Sequence, residues 1–412
     1  MGNRKDPKEE QGITLDMPSE AFYGLAGQIV AATDPHTEAA RELLLLNHLV
    51  FFGNVIGRGP YYKVEETRHY TNIYGVAVGP TSKARKGQSL STIEHMYRAI
   101  DPDWLDKRKV SGLSSGEGLV YQVRDASSLG AVTRKNEFDP GVQDKRLLVI
   151  EEEFSQSLTK MRSDGNILSQ IIRDAWDGKS LTPLTKNNRI KATEPHISIL
   201  GHITMDELRK QLSMTEMTNG FANRFIWLCV GPRTKVLANP TGVPDKILTP
   251  LISKLKTAVT FAKGVGQMKR DSKAEKLWTK VYPQLSEGKS GLVGAITSRA
   301  EAQVLRLSMI YALMDCSSVI KPPHLKAALA FWKYSEASVN MIFGERLGDP
   351  SVDEVAKSLR IFGKVTRSQI WDILGHSGNK KEIQRVIEVL NRAGIAIVQS
   401  ENGTEVLLPK RR

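Results

Sequence analysis

The chain has 412 residues, of which 40% are hydrophobic and 25% are charged, and its formal net charge at pH 7 is +13. A chain of this length and composition forms about two or three domains, each with its own apolar core. No apolar run approaches the roughly 18 residues of a membrane helix, and the charged N-terminus lacks the apolar centre of a secretory signal, so a cytoplasmic protein without membrane segments is expected. Two cysteines without a CxxC pair exclude a disulfide framework and a cysteine zinc site.

The first half of the chain changes from helical spacing to short apolar runs. Residues 1–16 are polar and predicted to be disordered, and residues 17–69 carry helical spacing that predicts a helical lead-in. From 70 to 235, the apolar runs IYGVAVG, RLLVIEEE, HISILGH and RFIWLCV alternate with helical patterns at 90–99, 168–176 and 205–212. This alternation predicts an α/β domain whose strands are covered on both faces.

The second half is predicted to hold two further domains. Residues 236–348 form an all-helical lid, with helices at 251–264, 274–285, 299–315 and 323–343. Residues 349–412 contain three amphipathic segments, then the strands AIAIVQS and EVLLP around Asn402–Gly403, a strong hairpin signal. Three helices followed by a hairpin indicate a winged helix.

A candidate phosphate-binding loop, GPTSKARKGQS, follows the first apolar run. A glycine ends the strand, three basic residues supply positive charge, a second glycine allows close backbone approach, and a serine hydroxyl opens a helix where it can meet a metal ion. The loop departs from GxxxxGK[ST] because Ala84–Arg85 take the Gly–Lys places, and a basic surface turn is the alternative. The candidate nucleotide-binding residues are Gly79, Lys83, Arg85, Lys86, Gly87 and Ser89.

The second candidate element is RLLVIEEEF, in which four apolar residues run directly into three carboxylates. In a parallel sheet these carboxylates lie at the carboxyl end of a strand, where ligands bind. Glu151 is expected to face a magnesium ion together with Ser89, and Glu152 to face the attacking water. A strand that ends in a solvated acidic turn is the alternative.

Three further residues are candidates by their position after the acidic strand. His202 ends the next apolar run, HISILGH, and can sense a phosphate or orient water. Arg224 precedes the last run, and Arg299 opens a helix of the predicted lid, so one suits a finger that reaches a neighbouring subunit and the other a lid sensor. Surface ion pairing is the alternative for each arginine.

These segments together resemble the ATPase module of AAA+ DNA helicases, particularly the minichromosome-maintenance branch, over residues 70–345. The resemblance rests on the acidic strand followed by phenylalanine, on GLS and RD before it, on NRF, and on the helix that continues RLS. The motifs GPTSKARKGQS, GLSSGEGL, IIRDAWDG, GHIT and NGFANRF look like those of ATPases from phages, plasmids and integrated elements, often found with primase-polymerase domains.

The resemblance implies an α/β AAA+ P-loop NTPase core with an all-helical lid, a homo-hexameric ring, and ATP with Mg²⁺ as cofactors. It assigns the phosphate-binding lysine to Lys86 and the magnesium hydroxyl to Ser89, with Glu151 on the metal and Glu152 on the water. It also implies that His202 senses the γ-phosphate, that Arg224 reaches a neighbour's nucleotide, and that Arg299 reports from the lid. Lys83 or Arg85 in the role of Lys86, and slow or absent hydrolysis, stay open.

The net charge fits a polyanion partner such as DNA, and two basic elements are candidates for binding it. The segment 179–193 lies where ring helicases place a channel hairpin, with Lys186, Arg189 and Lys191 gripping single-strand phosphates; an exposed basic turn is the alternative. In the winged helix, the segment 380–393 resembles a recognition helix; protein contact is the alternative. Its candidate DNA-binding residues are Lys380, Lys381 and Arg385.

The leading hypothesis is therefore an ATP-dependent, ring-forming DNA helicase or translocase for replication of a phage, plasmid or other mobile element. The alternative is a DNA-binding replication initiator or regulator whose degenerate ATPase fold hydrolyses weakly or not at all. A third reading is an ATPase that remodels a protein partner, for which the positive charge serves that partner or solubility.

Overall fold

A computed structural model of the chain describes residues 15–80, 86–126, 138–183, 190–231, 235–238, 242–289, 291–344, 349–375, 379–392, 395–401 and 404–410. The chain divides into a larger unit, residues 1–288 with 296–339, and a smaller unit, residues 289–295 with 340–412.

Within the part of the chain that the structure describes, the strands fall into three sheets. In chain order they are β1 (Tyr61–Val64), β2 (Thr67–Tyr70), β3 (Tyr74–Val78), β4 (Lys109–Val110), β5 (Arg146–Glu151), β6 (His196–Ile203), β7 (Phe225–Cys229), β8 (Gln267–Arg270), β9 (Val319–Ile320), β10 (Val365–Thr366), β11 (Ala396–Glu401) and β12 (Thr404–Pro409).

The α-helices within the described residues are, in chain order, α1 (Gly24–Thr33), α2 (Arg41–Val55), α3 (Lys86–Arg98), α4 (Pro102–Arg108), α5 (Gly116–Tyr121), α6 (Phe154–Met161), α7 (Leu168–Trp176), α8 (Met205–Gln211), α9 (Met214–Thr218), α10 (Asp245–Lys263), α11 (Ser272–Ser286), α12 (Gly291–Thr297), α13 (Ala300–Met314), α14 (Pro322–Phe343), α15 (Pro350–Phe362), α16 (Arg367–Ile373) and α17 (Lys380–Arg392).

The central sheet of the larger unit has the order β4-β5-β6-β3-β7, and all its strand pairs are parallel. The four apolar runs are its strands, which confirms the predicted α/β layer. A Cβ on Gly75 would lie 2.7 Å from Leu46 of α2, whereas the neighbouring Tyr74 donates its hydroxyl to the Ile172 carbonyl of α7 at 3.1 Å. Because adjacent strand residues point to opposite faces, α2 and α7 cover opposite faces of the sheet.

The N-terminal helices α1 and α2 share one apolar core with this sheet and with helices α10, α13 and α14. Helix α2 is buried along most of its length, and it contacts β3, β5 and β6 as well as α3 and α13. The core continues from Leu46 and Phe51 of α2 to Leu255 of α10 and Ile310 of α13. Segments predicted as a lead-in and a lid therefore contribute to the burial that stabilises the sheet.

A second sheet corrects the prediction that residues 17–69 and 236–348 are helical throughout. Its order is β2-β1-β8-β9, with an antiparallel β1–β2 hairpin and parallel pairs beyond it. The hairpin turns at Glu65–Glu66, with Glu65 at φ +50°, so it lacks the Asn-Gly type of signal that predicts such turns. Strands β8 and β9 are short and pair with partners distant in the sequence, which local patterns do not reveal.

The smaller unit contains α15, α16 and α17 and an antiparallel sheet of order β10-β12-β11. Asp349 caps α15, and Thr366 forms a capping box with Gln369 at the start of α16. Strands β11 and β12 pair from Ala396↔Pro409 to Glu401↔Thr404, which confirms the predicted hairpin.

Candidate functional site

Three predicted segments converge at the carboxyl edge of the central sheet. Strand β3 lies between β6 and β7, and the chain leaves it first toward β4 on one side and later toward β7 on the other. Ligands of open α/β sheets bind at the carboxyl ends of strands where the strand order reverses in this way. Glu151 pairs with Gly201 of β6, and His202 pairs with Ala77 of β3. Since neighbouring strands are about 4.8 Å apart, Glu151 lies about 10 Å across the sheet from β3.

Gly79 and the first turn of α3 form one side of this edge. The Gly79 amide donates to the Ile203 carbonyl at 3.1 Å, and a Cβ on Gly79 would lie 2.5 Å from the Val230 carbonyl oxygen, so only glycine fits. Lys83 and Arg85 lie outside the described residues. The chain is described again from the start of α3, whose first residue is Lys86.

The start of α3 lies directly against the acidic residues that follow β5. A Cβ on Gly87 would be 3.5 Å from Glu152 Oε2, which brings the predicted phosphate loop and the predicted water-facing carboxylate together. Both residues are exposed at this point. The positive end of the α3 dipole therefore faces a negative side chain, which this end of the helix stabilises.

Ser89 is buried and is fixed by a residue that the sequence did not single out. Asn47 of α2 donates its Nδ2 to the Ser89 hydroxyl at 3.0 Å, and both side chains are fully buried. The other amide atom, Asn47 Oδ1, is buried without a hydrogen-bond partner within the described part of the chain. The hydroxyl predicted to bind the metal is thus held in place by a buried amide whose unpaired oxygen lowers the stability of the fold.

Glu151 is buried at the end of β5, whereas Glu152 is exposed. The Leu113 amide donates to Glu151 Oε1 at 2.8 Å, which fixes the carboxylate. His202 is buried on the neighbouring strand β6, and it lies level with Ala77 near the end of β3. The structure therefore brings Gly79, the start of α3, Glu151 and His202 to one edge of the sheet.

This donor set fits Mg²⁺ with a nucleotide phosphate. Magnesium prefers oxygen ligands and is bound in proteins by one or two carboxylates, a hydroxyl and the substrate's phosphates. The Ser89 hydroxyl and the Glu151 and Glu152 carboxylates supply such oxygens, and the glycine at position 87 leaves the backbone of the first α3 turn open. The residues present therefore fit the group that the sequence predicts.

The two predicted arginines lie at the opposite, amino edge of the sheet. Arg224 directly precedes β7, whose first residue pairs with the first residue of β3. Arg224 is therefore level with residue 73, six residues before Gly79, which places it about 20 Å along the sheet from Gly79. Neither Arg224 nor Arg299 is placed with Ser89 and Glu151 of the same chain.

Instead, the structure brings Arg224 and Arg299 together around Asp177. The Arg224 Nη2 atom donates to Asp177 Oδ2 at 2.9 Å, and the Arg299 Nη1 atom lies 3.7 Å from Asp177 Oδ1. Burial alone raises the pKa of the Asp177 carboxyl, but the bond and charge of Arg224, with the charges of Arg299 and Lys179, outweigh burial and hold that pKa below its ordinary value.

A third arginine, Arg306, adds positive charge at this edge, where the arginines outnumber the carboxylate Asp177 that lies between Arg224 and Arg299. It is fully buried, its Cζ lies 3.6 Å from the Trp176 ring centroid, and it donates to the carbonyls of Asn72 and Trp176. Burial lowers the pKa of Arg306 to about 9, and the pKa of Arg299 is lowered by burial and by Arg224. Asp177 is the carboxylate that this cluster shares.

The predicted channel hairpin is described only at its base. Leu181 and Ala192 form an antiparallel bridge with two backbone bonds of 2.9 Å, whereas Lys186 and Arg189 lie outside the described residues. Lys191 is exposed, and its carbonyl accepts from the Asp125 amide at 2.7 Å. The base is thus fixed in the larger unit at the start of β6.

In the smaller unit, Lys380 and Lys381 are exposed at the start of α17, but Arg385 is engaged within the fold. Its guanidinium bonds to Asp349 at 2.5 Å and to Glu382 at 2.6 Å. Bonds to Glu382 and Asp349 raise the pKa of Arg385 above its ordinary value. Two of the three predicted contacts are therefore open to a phosphate, and the third has a structural role.

Sequence reasoning missed Asn47, Leu113 and Asp177. A signal for Asn47 exists in the sequence, because Asn47–His48 interrupts the apolar run LLLL–NH–LVFF of a buried helix. Leu113 acts through its backbone, and Asp177 through a tertiary ion pair, so neither has a local signature.

No model of a known protein family matches this chain, and none of the curated proteins does. Within the described residues, the helices are too short or too polar to cross a bilayer.

Proposed function

We propose that this protein is an ATP-dependent DNA helicase or translocase with an AAA+ P-loop core, acting as a homo-hexameric ring in the replication of a mobile element. The observation that supports it most is the approach of Glu152 to the start of α3, where a Cβ on Gly87 would lie 3.5 Å from Glu152 Oε2, at the edge that also holds the buried Ser89 and Glu151. A helix start against carboxylates, at the reversal of a parallel sheet, suits the hydrolysis of a nucleotide phosphate.

In the proposed mechanism, Ser89 and Glu151 hold Mg²⁺ while Lys86 and the amides of the first α3 turn hold the phosphates. When bound, the metal neutralises phosphate charge. Glu152, exposed beside Gly87, orients and polarises the attacking water, because a carboxylate at that place can accept its proton. The buried Ser89 and Glu151 keep their positions through Asn47 and the Leu113 amide.

The arginines enter this mechanism from another copy of the chain. Arg224 lies at the amino edge, about 20 Å along the sheet from Gly79 of its own chain, and Arg299 lies beside it at Asp177. We therefore assign them to the nucleotide of a neighbouring subunit. Helices α10–α14, within residues 236–348, form the proposed lid, and residues 349–412 are proposed as a winged helix that binds duplex DNA through Lys380 and Lys381.

A second candidate is a replication initiator or regulator that binds ATP with little or no hydrolysis. It is favoured by one feature, the loop in which Ala84–Arg85 replace Gly–Lys. It predicts the same nucleotide site and the same DNA binding, but without turnover.

The test is steady-state ATP hydrolysis with and without single-stranded DNA, for the wild type, Lys86→Ala and Glu152→Gln. We expect DNA-stimulated turnover in the wild type and its loss in both variants, with Mg-ATP binding kept in Glu152→Gln. DNA binding with no turnover in any of the three would refute the motor and leave the initiator. Turnover that ignores DNA would favour a protein-remodelling ATPase.

Mixing two inactive variants tests the assignment of the arginines to a neighbour. Glu152→Gln and Arg299→Ala each lose turnover, but in mixed rings about a quarter of the interfaces pair an intact Glu152 with an intact Arg299. We expect mixing to restore turnover that neither variant has alone. Absence of restored turnover, with mixed assembly verified by affinity tags, would contradict the assignment.

A further inference from the structure

A cleft of the larger unit lies among the β1–β2 hairpin, helix α11 and the first turn of α13. Its lining includes Tyr62, His69, Arg270, Trp278, Tyr282 and Glu301, with Arg299 at the helix start. The cleft includes Arg299 of the arginine cluster at the amino edge of the sheet, and it contains none of the candidate residues at the carboxyl edge. Apart from Arg299, neither the proposed nucleotide hydrolysis nor the proposed DNA contacts use its residues.

One wall of the cleft is a fixed stack of aromatic rings and an arginine. Arg270 Cζ lies 4.8 Å from the Tyr62 centroid and 4.0 Å from the Trp278 centroid, and Nη1 donates to the Tyr62 hydroxyl at 3.0 Å. Trp278 contacts Tyr282 with centroids 5.6 Å apart, and 44% of Tyr282 is exposed. Exposed aromatic rings held beside an arginine form the kind of surface on which nucleobases stack.

The cleft also gathers buried polar atoms that lack hydrogen-bond partners among the described residues. They are Arg270 Nε, His69 Nδ1, Asn223 Oδ1 and Glu301 Oε2. The Arg270 side chain is only 5% exposed, so its unpaired Nε is a costly feature that a ligand would relieve. Burial and the charges of Arg306 and Arg299 lower the pKa of His69 to about 4, so its ring is neutral near pH 7 and offers one donor and one acceptor.

The first turn of α13 adds a site for negative charge. This helix has 15 residues, and its N-cap, Arg299, makes no capping bond through its side chain. The unbonded amides of a helix start and the positive end of its dipole attract an anion, and the Arg299 guanidinium strengthens that attraction. Flat rings, mixed donors and acceptors, and an anion site thus meet in one cleft.

We propose that this cleft binds a nucleobase with its attached phosphate. The base stacks on Tyr282 and Trp278, its ring and amino groups bond to Glu301 and Asn223, and the phosphate lies at the start of α13. A free nucleotide and one nucleotide of a single DNA strand present the same chemistry. This subsite is separate from the ATP site at the carboxyl edge of the same chain, and it shares only Arg299 with the proposed contact to a neighbour's nucleotide.

The test is photolabelling of the full chain with 8-azido-AMP, followed by mapping of the labelled peptides. We compare the wild type with Tyr282→Ala and Glu301→Gln, and with Tyr121→Ala as a matched control, since 42% of Tyr121 is exposed on α5. We expect labelling of residues 272–286 or 298–305, reduced roughly tenfold by Tyr282→Ala and clearly reduced by Glu301→Gln. The control variant labels like the wild type.

Two further arms identify the source of the nucleotide and separate this proposal from the ATPase. Competition by AMP alone supports a free nucleotide, whereas stronger competition by an oligo(dA) strand, which presents the same adenine base, supports DNA. Lys86→Ala, which tests the ATP site, leaves labelling of the cleft unchanged. Labelling absent from both peptides, or equal in Tyr282→Ala and Tyr121→Ala, would overturn the proposal whether or not the protein hydrolyses ATP.

Discussion

Replacing Asn47 by leucine separates the role of this residue in the fold from its role at the site. The Asn47 Nδ2 atom donates to the Ser89 hydroxyl at 3.0 Å, and Oδ1 is buried without a partner among the described residues. Leucine has nearly the same shape as asparagine and no polar atom. The substitution therefore removes the bond to Ser89 and the unpaired oxygen together.

These two losses oppose each other in the free energy of unfolding. A neutral hydrogen bond stabilises a fold by about 1 kcal/mol, and a buried unpaired acceptor costs about 1–3 kcal/mol. We therefore expect Asn47→Leu to change stability by less than about 1 kcal/mol, or to raise it. Mg-ATP affinity should fall about fivefold or more, because Ser89 loses the bond, worth about 1 kcal/mol, that orients its hydroxyl.

A second asparagine of α2 provides the control. Asn54 donates to the Leu147 and His196 carbonyls and to Ser198, and it accepts from Trp104, so its side-chain nitrogen and oxygen are both paired. It lies about 10 Å farther along the helix than Asn47. Asn54→Leu should lower stability by more than about 2 kcal/mol, because several buried groups lose their partner.

The assay pairs urea unfolding of each variant with a calorimetric titration of Mg-ATP, carried out without urea at a temperature where both variants are folded. We expect Asn47→Leu to lose affinity and keep stability, and Asn54→Leu to do the reverse. A Thr71→Val variant, which removes one bond to the Gly53 carbonyl of α2, serves as a milder structural control. Unchanged Mg-ATP affinity in Asn47→Leu would refute the role given to Ser89.

Two other predictions concern charged groups. Because the pKa of Asp177 is depressed in the folded state, its contribution to stability is present above its ordinary pKa of about 4 and is lost as the pH falls below that value. Asp177→Asn should cost about 2 kcal/mol at pH 7, because the hydrogen bond from Arg224 loses its charged acceptor. The variant should also lose this part of the acid sensitivity in urea unfolding, and an unchanged acid profile would contradict the assignment. Arg385→Ala should lower the thermal stability of the smaller unit, because it breaks the contacts to Asp349 and Glu382. The double variant Lys380→Ala, Lys381→Ala should leave stability unchanged and reduce the slope of DNA affinity against salt by about 0.9 per lost phosphate contact. Equal melting temperatures of these variants would refute the structural role of Arg385.

The sequence predicted the central layer well because its strands are marked by composition as well as by periodicity. Each run, such as IYGVAVG or RLLVIEEE, is apolar almost throughout, which only a strand covered on both faces requires. The β1–β2 hairpin was missed because a Glu65–Glu66 turn looks like a solvated charge pair. Strand β1 also pairs with β8, which follows it only after the whole central sheet, so this pairing depends on tertiary packing and not on a local pattern.

Candidate site residues could be predicted from the sequence where charged side chains directly follow an apolar strand. Glu152 approaches the start of α3, and Glu151 ends the neighbouring strand, because parallel strands end at one edge, and the apolar runs reveal where they end. The pairing of Arg224 with Arg299 could not be read in this way, since it depends on where α13 packs and on Asp177, a residue inside the helical pattern IIRDAWDG. The role of the buried Asn47 likewise depends on its tertiary hydrogen bond to Ser89, which no local pattern indicates.

The placement of charge explains why one chain is an incomplete catalyst in this proposal. Carboxylates and a hydroxyl lie at the carboxyl edge of the sheet, whereas Arg224, with Arg299 beside it at Asp177, lies at the amino edge, about 20 Å away along β3. Direct contact with one phosphate needs distances near roughly 3 Å, so both sets serve a single phosphate only if they come from two copies. Contact between different edges of identical chains is heterologous and closes into a ring when its rotation allows. Until such contact forms, Asp177 keeps Arg224 and Arg299 paired, so assembly must exchange that carboxylate for the neighbour's phosphate.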